Sequence, residues 1–113
     1  RNPEEKKWWC NTYPVESIVN LVISVEKIWK SDFRKISSPA LFIYSPKDKW
    51  ISISRLKKAT KIWGNDVSLV ALDIKSNVDN GNFHVILGNL KAPSETNLGL
   101  EIINSWLINL LKS

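Results

Sequence analysis

The sequence predicts an α/β fold in the order helix, strand, helix, strand, helix, with the two strands parallel. Three observations predict it. First, two short apolar runs, Ala40 to Tyr44 and Val67 to Leu72, are continuous and not alternating. That pattern suits strands buried on both faces of a parallel sheet. Second, stripes of apolar residues at helical spacing stand before, between and after the two runs. Third, Pro, Gly, Ser and Asn mark the places where the chain changes element.

Taken in order, residues 1–11 are polar except for Trp8 and Trp9, and read as a loop or a short helical turn. Pro14 suits the first turn of a helix, and Glu16 is favourable near its N-terminus. Ile18, Leu21, Val22, Val25, Ile28 and Trp29 then form one stripe, which predicts a helix over about 14–31. Its β-branched residues weaken local propensity, so this helix needs tertiary packing. Ser37, Ser38 and Pro39 break the chain before the first strand. Ser45, Pro46, Lys47 and Asp48 end that strand with turn chemistry. Ser52 or Ser54 can cap the next helix, which carries Ile53, Leu56, Thr60 and Trp63 on one face. Gly64 is expected at its C′ position.

After the second strand comes an Asn/Gly/Asp-rich loop from about Lys75 to Asn82. Phe83 to Leu87 follow, then Gly88 and a polar connection through Pro93. Ser94 can cap the last helix, where Ile103, Trp106, Leu107, Leu110 and Leu111 form a stripe. Two strands alone make a poor sheet, so further strands are expected before Arg1. The chain has 113 residues, begins with Arg1 and holds no methionine, so an internal or C-terminal piece of a longer protein, or a processed product, is expected.

Composition narrows the function classes. The length suits one small domain and excludes a multidomain enzyme. With 43% apolar and 24% charged residues the chain is globular and not disordered. Cys10 is the one cysteine, so no internal disulfide is formed, and no zinc-type cluster is present. No apolar run approaches the roughly 20 residues that span a bilayer, and no signal peptide heads the chain. A cytoplasmic location without a membrane span is expected.

The net charge is +5, concentrated in residues 36–75, which hold seven basic and three acidic side chains. The densest run is Lys47, Lys49, Arg55, Lys57, Lys58 and Lys61. A polyanion patch is one reading of it. The preferred reading is the solvated face of a helix, because Lys57, Lys58 and Lys61 lie off the apolar stripe. Lys outnumbers Arg, the better phosphate fork, and no aromatic–basic motif accompanies the run. A nucleic-acid partner is not expected.

In open parallel sheets function collects beyond the C-terminal ends of the strands. Asp48 follows the first strand, and His84, the one histidine, follows the second. A carboxylate that orients an imidazole is half of a catalytic triad. Asp73, at the end of the second strand, is the rival acid. Asp66 and Asp79 read as turn residues, and Cys10 lacks the basic neighbours of a reactive thiolate. Ser45 and Ser52 stand near the site by topology, but neither sits in a nucleophile elbow.

The segment Ile36 to Ile51, with Pro39 before the apolar strand and Ile51 three residues after Asp48, resembles the penultimate strand and acid loop of the α/β-hydrolase family. The segment Gly81-Asn82-Phe83-His84 through Asn89 is similar to that family's histidine loop, and the last helix to its closing helix. The resemblance covers residues 36–111. It implies that 36–113 is the C-terminal part of an α/β-hydrolase domain, and 1–35 a cap-like or connecting helical segment. It implies Asp48 as the triad acid and His84 as the general base, with Trp8, Trp9 and Tyr13 as candidates to line a substrate pocket.

The departure is the nucleophile: no Gly-x-Ser-x-Gly occurs in the chain. The expectation is therefore the C-terminal fragment of a serine hydrolase of esterase, lipase or thioesterase type. Its substrate is a small ester, thioester or amide, no cofactor or metal is needed, and the fragment is inactive alone. The alternative is a non-catalytic α/β interaction module. Under either reading a homo-oligomer, or pairing with the missing N-terminal half, is expected through the exposed sheet edge.

Overall fold

The computed structural model describes residues 3–8, 10, 12–74, 83–89 and 91–112. They fall into two compact units, Arg1–Asp32 and Phe33–Ser113. The first holds helix α1, Pro3–Trp8, and helix α2, Val15–Lys30. Pro14 precedes α2 with an extended backbone, Glu16 stands in its first turn, and Lys27 and Lys30 in its last. Those charges complement the helix dipole. Ser31 ends the helix, its amide donating to the Ile28 carbonyl at 3.0 Å. The apolar stripe of α2 is present but not covered: Ile18, Leu21, Val22, Val25 and Ile28 are all exposed.

The second unit opens with a 3-10 turn, Phe33–Lys35. Strand β1, Ala40–Tyr44, helix α3, Ile53–Lys61, strand β2, Val67–Ala71, and helix α4, Pro93–Lys112, follow. The strands pair in parallel, Ala40 opposite Val67 through Tyr44 opposite Ala71. Parallel strands need a crossover, and α3 supplies it. Ala40 N donates to the Asp66 carbonyl at 3.0 Å and Leu72 N to the Tyr44 carbonyl at 2.8 Å, which closes both ends of the ladder.

Alternation along the strands separates two faces. Leu41, Ser68 and Val70 share one with α4, bordering a groove of about 420 Å³ with Ile102 and Trp106. Phe42, on the other face, meets Trp63 edge-on at 5.4 Å. The Trp63 indole N–H donates to the Ser38 carbonyl at 2.9 Å, tying the end of α3 to the start of β1. Tyr44, Ser45, Ala59, Leu72, Ile74 and Ala92 are buried, and the core gathers at the C-terminal ends of the strands. The remaining β1 residues are half-buried, so the full two-sided burial expected of the apolar runs is not reached within the described residues.

Two expectations are corrected. Ser52 does cap α3, its hydroxyl accepting from Arg55 N, but the helix ends at Lys61 with Ile62 as its cap, so Gly64 lies beyond C′. Gly64 is needed for closeness: a Cβ there would collide with the carbonyl oxygens of Arg34 and Ile36. In α4 the half-buried face is Ile102, Ile103 and Trp106 around the buried Gly99. Leu107, Leu110 and Leu111, expected to pack inward, are exposed. The Asn/Gly-rich loop, with Asp79 and Gly81, lies outside the described residues.

Candidate active site

The site is built at the exit of β1. Ser45 is fully buried and turns the chain: its hydroxyl accepts from Lys47 N at 3.2 Å and its carbonyl from Asp48 N at 3.1 Å. That turn aims Asp48. Its Oδ1 accepts from the amides of Trp50 at 2.7 Å and Ile51 at 3.2 Å. Its Oδ2 lies 2.9 Å from His84 Nδ1. The Asp48 side chain is 4% exposed, the His84 side chain 48%.

Burial alone would raise the Asp48 pKa. The hydrogen bond from His84, those from the Trp50 and Ile51 amides, and the imidazole's charge outweigh it and hold the carboxyl below its ordinary value. An ionised carboxylate only accepts hydrogen bonds, so His84 Nδ1 is the donor. Nε2 of the neutral ring then carries the lone pair. This is an imidazole oriented by a buried carboxylate and half open to solvent, able to take a proton at Nε2.

His84 is held from both sides along the chain. Phe83 adopts a left-handed backbone, φ 52°, which turns the chain immediately before the imidazole. After it, Leu87 packs over the bare backbone of Gly99 on α4, where a Cβ would overlap its methyl groups. Gly88, at φ 108°, donates its amide to Thr96 Oγ1 at 2.9 Å. Thr96 Oγ1 in turn donates to the Ala92 carbonyl at 2.8 Å. The helix α4 therefore anchors the histidine segment.

The structure brings Asp48 and His84 together. The rival acid Asp73 instead pairs with Lys47 Nζ at 2.9 Å. Ser45 is buried as a turn residue and Ser52 is the α3 cap. Trp8 and Tyr13 belong to the first unit, where both are exposed. The Trp8 indole donates to Glu4 at 3.2 Å, and Lys7 Nζ stands 5.0 Å from its ring centre. Trp9 lies outside the described residues. Cys10 donates to the Thr12 carbonyl. Arg55, Lys57, Lys58 and Lys61 are exposed along α3.

Two residues near the site escaped the reading of the sequence. Trp50 is 71% exposed, and its ring centre lies 6.5 Å from that of His84. Lys47, which the sequence places in the turn after β1 and in the basic run, reaches across to Asp73 and Ile74. Adjacency to Asp48 was the one signal for either. Asp48 and His84 do not border the 420 Å³ groove, which runs along the sheet face below α4.

Among the described residues, no three His, Cys, Asp or Glu side chains gather as metal ligands, and no helix is long and apolar enough to cross a membrane. The chain has an α/β architecture of helices with a two-stranded parallel sheet. Comparison of the chain with protein-family models, curated proteins and solved structures finds no match.

Proposed function

We propose that Asp48 and His84 are the acid and the base of a serine hydrolase of α/β-hydrolase type, acting on an ester, thioester or amide. The observation that carries this reading is the 2.9 Å contact between His84 Nδ1 and an Asp48 carboxylate, 4% exposed, whose other oxygen is occupied by two backbone amides. In the proposed reaction a serine attacks the carbonyl, His84 Nε2 takes its proton and returns it to the leaving group, and Asp48 stabilises the imidazolium. The nucleophile and the oxyanion donors come from polypeptide other than these 113 residues, since no Gly-x-Ser-x-Gly occurs in them. The chain alone has no hydrolase activity under this reading. A cytoplasmic location fits a chain with one cysteine.

The test is labelling by a serine-directed fluorophosphonate in the native protein that carries this chain. His84→Ala is expected to abolish labelling and turnover with the fold retained. Retained labelling at the unsubstituted rate would remove His84 from the role of base and with it this function.

A second reading has its own observation. The sheet has two strands, and most β1 and β2 residues are only half-buried. A non-catalytic module that self-associates through the sheet edge would cover them.

A further inference from the structure

The Lys47 side chain joins three pieces of chain around the acid–histidine pair. Its ammonium lies 2.9 Å from Asp73 Oδ1 and donates to the Ile74 carbonyl at 3.0 Å. It also stands 5.6 Å from the centre of the Phe83 ring, within the range of a cation–π contact. Asp73 and Ile74 are the chain leaving β2, and Ile74 is itself buried. Phe83 is the residue before His84, and Lys47 the residue before Asp48.

Both ends of the 2.9 Å contact therefore have a neighbour in sequence that meets at one ammonium. An ion pair between side chains 49% and 73% exposed contributes little to stability by itself. What the arrangement fixes is position. The Asp48 turn is already set by Ser45 and by the Trp50 and Ile51 amides. Among the described residues, the histidine segment meets α4 after His84, at Leu87 and Gly88. On the side before His84, the ammonium is what meets Phe83. It also holds the carboxylate of Asp73, the other acid at these strand ends, on a charge of its own.

We propose that Lys47 is a positioning residue that seats Phe83 against the end of β2 and so fixes the ring of His84 on Asp48. This rests on the reading of Asp48 and His84 as an acid–base pair. A lysine rather than an apolar residue suits the place because one group must satisfy a carboxylate, a carbonyl and an aromatic face together.

The test uses the 113-residue chain, whose single histidine makes the imidazole ¹⁵N signals unambiguous. The unsubstituted chain is expected to show one dominant tautomer, protonated at Nδ1. Lys47→Met is expected to turn this into the tautomer mixture of an unconstrained imidazole, with the circular dichroism spectrum unchanged. Lys47→Arg, which keeps a cation able to reach the same partners, is expected to restore the Nδ1–H form. Phe83→Leu, which keeps the bulk and removes the ring, is expected to behave like Lys47→Met. It decides the matter if Lys47→Met does not fold.

An unchanged tautomer in Lys47→Met or in Phe83→Leu overturns the proposal while leaving the Asp48–His84 pair standing. A chain without a fixed Nδ1–H form, insensitive also to Asp48→Asn, overturns the pair and the role of Lys47 together. Loss of fluorophosphonate labelling is not involved, so a failure of the hydrolase reading alone leaves this result intact.

Discussion

A carboxylate as enclosed as that of Asp48 keeps its charge only when its oxygens are occupied, and both are: one by two backbone amides, the other by His84. Asparagine at this position has one accepting oxygen and one donating nitrogen. Turned one way it loses the imidazole donor, turned the other it faces two amides with an NH₂ group. Asp48→Asn is therefore expected to cost about 1–3 kcal/mol at neutral pH, the scale of leaving an enclosed donor without its acceptor. The pH dependence follows from the direction of the shift. The folded carboxyl lies below its ordinary value, so between the folded and unfolded values the unfolded chain binds more protons. Stability from this group is complete above about pH 4, the unfolded carboxyl range, and is lost as pH falls through the lower folded value. Urea midpoints measured between pH 2 and 6 are expected to fall less steeply toward acid in Asp48→Asn than in the unsubstituted chain. Parallel curves would show that the charge of Asp48 has no linkage to folding.

At the scale of elements, α4 and the histidine segment meet at Gly99, and two opposed magnitudes decide what alanine does there. Alanine in a helix interior gains about 1 kcal/mol over glycine. The added Cβ would overlap the Leu87 methyl groups, the far end of a half-buried side chain, so Leu87 must give way and lose its seat on the bare backbone. Gly99→Ala is therefore expected to gain less than the full ~1 kcal/mol of helix propensity, because Leu87 is displaced. Adding Leu87→Ala to it is expected to cost less than Leu87→Ala costs alone, an interaction that a double-mutant cycle of urea midpoints measures. Additive effects would show that Leu87 does not pack at Gly99. The same contact explains what the sequence could and could not tell. Strands β1 and β2 and the body of each long helix were legible, because apolar runs and stripes report burial locally. Asp48 and His84 were legible by topology, as residues just beyond two parallel strands. Lys47 and the Leu87–Gly99 contact were not, because each depends on a pairing across many residues that leaves no periodic trace. Gly64 was misread for a related reason: a helix end and a close backbone approach both call for glycine, and only the carbonyls of Arg34 and Ile36 distinguish them.

For the whole molecule, the patterns that predicted each element also predicted more burial than the described residues provide. The strands carry Leu41, Phe42, Ile43, Leu69 and Val70, yet these remain half-buried in a sheet of two strands. In α2, Leu21 is 64% exposed and Ile18 54%, although six apolar residues align on its stripe. A sequence pattern records that a face is to be covered but not by what. Burial of apolar area contributes about 25 cal/mol per Å², so surfaces of this kind favour association whenever a complementary face is at hand. A second copy presents the same faces, and the outer edges of β1 and β2 offer backbone groups to another strand. The 113-residue chain is accordingly expected to sediment as a concentration-dependent mixture of monomer and larger species. Lysine in place of an exposed apolar residue, as Leu21→Lys on α2 or Leu111→Lys on α4, is expected to shift that mixture toward monomer. A monodisperse monomer at high concentration would remove the self-association reading, and would mean that these half-buried strands are stable as two without a further partner. The acid–histidine pair does not depend on that outcome, since the contacts described above that orient Asp48 and His84 lie within residues 45–99.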